Sequence, residues 1–139
     1  MKSFIYSNKF STSISALLLA SFLWSCGGCG GSSAIDENLS ATYSDNGTTF
    51  KITVRSSGYS NKYYVDGTET KSLRLKEGYT YYFNVEDSST NNHPLFIGTS
   101  SGGGNYSNEY SSGVTGNRAT NGLLTFTVPT DAPSTLYYN

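Results

Sequence analysis

The chain has 139 residues, enough for a single domain once a targeting segment is set aside. Its 9 basic and 10 acidic residues leave a net charge of -1 with no basic stripe to neutralise phosphates, which argues against nucleic-acid binding. Uncharged polarity dominates, with 15 glycines and 12 tyrosines among many serines, threonines and asparagines, a mixture that suits an extracytoplasmic β-protein because Thr and Tyr favour strands while Gly, Asn and Ser favour turns.

The first predicted element is a leader. Met1 to Phe10 holds Lys2 and Lys9 with no acid, and Ile14 to Trp24 is an apolar run of the length expected for a signal-peptide h-region. That run is too short to cross a bilayer as a helix, which takes about twenty apolar residues. It ends at Leu23-Trp24-Ser25-Cys26. A charged start, an h-region and a small residue just before cysteine resembles the lipobox of bacterial lipoproteins. The resemblance implies that residues 1-25 are removed and that Cys26 is acylated, anchoring the chain to a membrane. Gly27-Gly28 supplies no acidic inner-membrane retention signal, which favours the outer membrane. Of the 9 basic residues, Lys2 and Lys9 leave with the leader, so 7 remain against 10 acids, a net charge of about -3. Cys26-Gly27-Gly28-Cys29 has C-x-x-C spacing, but with no βαβ pattern and no second pair it makes neither a thioredoxin-like site nor a zinc site.

Residues 26-48 are rich in Gly, Ser and Asn without a sustained period and read as a flexible spacer. The domain is predicted over 49-139. Phe50, Ile52 and Val54 alternate with Lys51, Thr53 and Arg55, the period of a half-buried strand. Lys62 to Val65 leads into the turn dipeptide Asp66-Gly67. Leu73 and Leu75 form a short strand before a turn at Glu77-Gly78. Tyr79 to Val85 then sets Tyr81, Phe83 and Val85 on one face. Glu86 to Asn92 is a polar loop, and Pro94 to Ile97 is a short apolar run that opens with proline, tolerated at the start of a strand. Ser100 to Asn121 reads as an extended loop with at most one short strand. Leu124, Phe126 and Val128 alternate again, and Leu136 and Tyr138 begin a last strand. No amphipathic helix is expected, and the pattern predicts an all-β sandwich or barrel.

Few residues could carry chemistry. His93 is the sole histidine and no serine lies in G-x-S-x-G, so a hydrolase triad has no base to use. Asp66, Glu69, Glu77, Glu86, Asp87 and Asp131 sit mostly in turns, where acids need no catalytic explanation. Enzymatic activity is not expected.

Tyr63-Tyr64-Val65-Asp66-Gly67, then Leu73 through Val85, then His93-Pro94-Leu95-Phe96-Ile97-Gly98, then Leu124-Thr125-Phe126-Thr127-Val128-Pro129, and finally Ala132 through Tyr138 follow one another in this chain. In that order they resemble the cupredoxin-like domains of bacterial secreted and lipid-anchored proteins, over roughly Phe50 to Asn139. The resemblance implies a Greek-key β-sandwich in which His93 is the first copper ligand. The family's cysteine follows the Tyr-Tyr-containing strand, with a histidine and usually a methionine a few residues on. Thiolate and imidazole together suit both copper oxidation states, which is what electron transfer needs. Only His93 can be carried over, since the cysteine would fall just after Asn139. The sequence is therefore expected to be a C-terminally truncated domain lacking its final strand and ligand loop, with one copper ion and a redox protein partner in the intact protein. Two alternatives are a surface lipoprotein module that binds ligands such as glycans, and a structural cupredoxin-like domain without metal.

Overall fold

The computed structural model describes residues 5–7, 43–102 and 106–139. Cys26, Cys29 and most of the expected spacer lie outside the described residues. The first strand, β1 (Ile5–Ser7), falls within the stretch read as a leader; the signals there are charge and hydropathy, which are silent about strand pairing.

Alternation then governs the domain. In β2 (Thr49–Ser57) the buried residues are Phe50, Ile52 and Val54, every second position, as the period requires. β3 (Ser60–Val65) returns antiparallel through the two-residue loop Gly58-Tyr59. Asp66-Gly67 is a second two-residue hairpin loop, joining β3 to β4 (Thr68–Glu69). Its residues have φ of 50° and 81°, the doubly left-handed pair that an Asp-Gly dipeptide tolerates best. The Lys51 amide donates to the Asp66 carboxylate at 3.0 Å, tying this loop to β2.

β5 (Leu73–Leu75) and β6 (Thr80–Asn84) follow, then a 3-10 turn at Ser88–Thr90 and the short β7 (Ile97–Gly98). A second 3-10 turn at Tyr106–Asn108 precedes β8 (Val114–Thr115), β9 (Leu123–Thr127) and β10 (Thr135–Tyr138). The strands form two sheets. One has six strands in the order β4-β3-β2-β6-β9-β8 and is mixed, because β2 and β6 run parallel. The other has four in the order β5-β1-β10-β7. The all-β expectation holds, and no α-helix occurs among the described residues. None of their helices is long and apolar enough to cross a membrane.

One hydrophobic core draws on both sheets. Phe50, Ile52, Tyr81, Phe83, Leu124 and Phe126 come from the six-stranded sheet, and Leu73, Leu75, Ile97, Leu136 and Tyr138 from the other. At roughly 1.5–3 kcal/mol for each large apolar side chain removed from water, this cluster is the main favourable contribution to folding. The Phe50 and Phe83 rings lie 5.3 Å apart in tilted contact.

The stretch expected as spacer joins the domain at its end. The Ser44 amide donates to the Arg74 carbonyl at 2.9 Å, and the Tyr81 hydroxyl to the Ser44 carbonyl at 3.0 Å. Gly47, at φ 83°, turns the chain so that its amide reaches the Thr80 carbonyl at 2.8 Å, while Asn46 Oδ1 accepts from the Thr80 amide. Composition conceals this, because Asn and Gly serve a bonded turn as readily as a flexible tether.

Candidate functional site

His93 sits half-buried in the loop between β6 and β7, and that loop is held from within by Thr90. Asp87 caps the 3-10 turn by accepting from the Ser89 amide at 3.1 Å and the Ser89 hydroxyl at 2.7 Å. Those two bonds, with Lys51 nearby, hold the Asp87 carboxyl below its ordinary range. The Ser89 hydroxyl oxygen in turn accepts from the Val54 amide at 2.9 Å, which fastens the loop to β2. Thr90 is fully buried, and its hydroxyl lies 2.6 Å from the carbonyls of Val85 and Asp87 and 3.0 Å from that of Thr120. The His93 amide then donates to the Thr90 carbonyl at 2.8 Å.

This predicts the effect of Thr90→Val, which keeps the shape and removes the hydroxyl proton those carbonyls share. We expect a loss of about 2 kcal/mol, the cost of a buried acceptor left unpaired. Urea unfolding should show a lower midpoint at unchanged slope. A midpoint equal to that of the parent chain would refute the role given to Thr90.

Two residues from β3 complete the surroundings of His93. The Tyr63 hydroxyl is 3.0 Å from the His93 carbonyl and 3.2 Å from that of Pro94, donating to one or the other. Burial pushes the Tyr63 phenol well above its ordinary range, with a smaller contribution from Tyr106, so it stays a donor at any physiological pH. Asn61 Nδ2 lies 3.3 Å from His93 Nε2. In this orientation the amide donates and Nε2 accepts. With the amide turned over, Oδ1 accepts from Nε2–H and the Nδ1 lone pair is left available. Sequence reasoning missed both residues. For Tyr63 a signal existed: the period places it inward with Val65, and a buried tyrosine needs a partner for its hydroxyl.

The end of β10 meets this loop. Tyr138 pairs with Ile97, and Asn139 exchanges two backbone hydrogen bonds with Phe96, each 2.9 Å. Asn139 is only 3% exposed, and its side chain is also engaged, accepting from the Gly102 amide and donating to the Ser100 carbonyl at 3.1 Å each. On its other side the apolar run is tied by the Leu95 amide to the Ala119 carbonyl and by the Ile97 amide to Asn117 Oδ1, at 2.9 and 3.0 Å.

Among the described residues, no three His, Cys, Asp or Glu side chains come together in an arrangement able to hold a metal ion. His93 is thus brought to Asn61 and Tyr63, three residues before the Phe96 that pairs with the end of β10. A groove of about 430 Å³ is lined by Thr49, Lys51, Asp66, Asn84, Glu86 and Asp87. Its polar groups largely answer one another. Asp66 takes Lys71 at 2.9 Å and the Lys51 amide, Asp87 lies 3.8 Å from Lys51, and Asn84 donates to Glu86 at 3.0 Å. Compared with known families, curated proteins and solved structures, the chain matches no family model, no curated protein and no solved structure.

Proposed function

We propose that this chain is a cupredoxin-like Greek-key β-sandwich from an extracytoplasmic electron-transfer lipoprotein, anchored through Cys26, with His93 as one ligand of a copper ion. The remaining ligands, on this reading, are supplied by residues that follow Asn139 in a longer parent protein. One observation carries it: the paired end of β10. With Asn139 bonded to Phe96, the next position in the register falls opposite Leu95, two residues from His93. That is where the resemblance sets the copper-binding cysteine. The Asn61 contact adds support, because a ligating imidazole commonly has its second nitrogen held by a neighbouring polar group.

The described residues do not by themselves fit copper, since one imidazole without a soft partner offers no selective site. The test therefore uses the parent protein beside this chain. Cu(II) added to a parent that carries Cys, His and Met after Asn139 is expected to give a visible thiolate-to-copper absorption band that His93→Ala abolishes. The 139-residue chain should give no such band. A parent lacking those ligands, or a band indifferent to His93→Ala, would discard the proposal.

A further inference from the structure

We infer that the opening between β5 and β10 is a strand-accepting slot whose occupant is the chain's own Ile5–Ser7, so that the uncleaved chain caps its own domain and cleavage before Cys26 empties the slot. The second clause rests on the leader reading; the first rests on the fold alone.

β5 and β10 are not neighbours; β1 lies between them in the sheet order. The outward sides of both are already taken. The Arg74 carbonyl accepts from the Ser44 amide, and β10 pairs antiparallel with β7, Tyr137 opposite Gly98, with Asn139 and Phe96 extending the ladder by two backbone bonds. Successive residues of a strand direct their backbone groups to opposite sides, so those of Leu73, Leu75 and Leu136 face the slot. With β1 in place Leu73, Leu75 and Leu136 are buried, at 2% exposure or less. Withdrawing the strand takes the sheet partners from these backbone groups and leaves two unpaired edges facing one another, so an empty slot is a defect that a strand repairs.

The fit is directional. β1 runs parallel to β5, with Ile5 opposite Leu73 and Ser7 opposite Leu75, and antiparallel to β10, with Ile5 opposite Leu136. A segment must satisfy both neighbours in one register. The occupant is drawn from the segment that the sequence assigns to export, and the passenger domain holds it by backbone bonding, the mode of recognition used in strand addition.

Hydrogen exchange tests this in the full chain. Tyr6→Pro places a residue that cannot donate to a ladder in the middle of β1. Exchange at the Leu75 and Leu136 amides is expected to rise about tenfold or more, while that at Phe83 in β6 changes little. The chain cleaved before Cys26 should show the same selective loss, and a synthetic peptide of residues 1–10 added to it should restore protection. If Tyr6→Pro or cleavage unfolds the whole domain, restoration of folding by the peptide supports the slot and its failure overturns it. Unchanged protection at Leu75 and Leu136 in both proteins also overturns it. Absence of cleavage before Cys26 in the cell overturns only the release step, leaving Tyr6→Pro to judge the slot, and neither result depends on copper.

Discussion

Gly113→Ala is expected to destabilise the domain by about 4 kcal/mol, a large fraction of the roughly 5–15 kcal/mol that holds a typical domain together. Two costs combine. Gly113 has φ 70°, a left-handed conformation that costs an L-residue about 1–2 kcal/mol. A Cβ there would also lie 2.0 Å from the Thr127 carbonyl oxygen and 3.2 Å from the Pro129 ring. That oxygen belongs to backbone, and the Thr127 amide already donates to the Gly113 carbonyl at 2.8 Å, so neither partner can withdraw without breaking the approach of β8 to β9. Forced displacement in a packed region adds about 1–3 kcal/mol. Gly47→Ala is the control, since Gly47 has φ 83° but nothing within 4 Å of the added Cβ. Its cost should stay near about 1–2 kcal/mol, the conformational part alone. Urea unfolding of the two variants therefore separates collision from backbone strain, and equal losses would show the close approach at Gly113 to be unimportant.

The legible and illegible parts of this fold divide along a physical line. β2, β6 and β9 each bury one face, so their apolar residues recur at every second position, and Asp66-Gly67 marks its hairpin locally. The parallel pairing of β2 with β6 leaves no such mark. It joins segments about thirty residues apart, and nothing in either strand's alternation names its neighbour. β1 is hidden for a different reason: the charge and hydropathy of the N-terminal stretch, which prompt the reading of a leader, are the same whether or not three of its residues pair. At the candidate site, the loop position of His93 was legible from its polar surroundings. Its partners were not, because Asn61 and Tyr63 reach it from β3, some thirty residues earlier in the chain.

The apolar run after His93 is the most instructive departure from periodicity, and it leads to the second large effect. Leu95, Phe96 and Ile97 are all buried, at 1% exposure or less, so this segment is covered on both faces. Leu95 and Ile97 join the main core, whereas Phe96 packs edge-on against Tyr106 with ring centroids 5.1 Å apart. Arg118 lies 4.2 Å from the Tyr106 ring centroid and is paired with Glu109 at 2.7 Å, so a small second cluster closes over the strand. Phe96→Ala should cost about 3 kcal/mol, the low end for a buried phenylalanine, because the covering loop can partly collapse into the space. The loss should also be local. Phe96 and Asn139 hold each other through two backbone bonds, so exchange at the Asn139 amide is expected to rise more than exchange at Phe83. Leu124→Ala, which empties the main core instead, should accelerate both together. Equal acceleration at Asn139 and Phe83 in Phe96→Ala would mean that this cluster has no independent hold on the end of β10. Selective acceleration would mean that the strand end beside His93 is positioned by the outer cluster of Phe96, Tyr106 and Arg118, and can be loosened without dismantling the core beneath it.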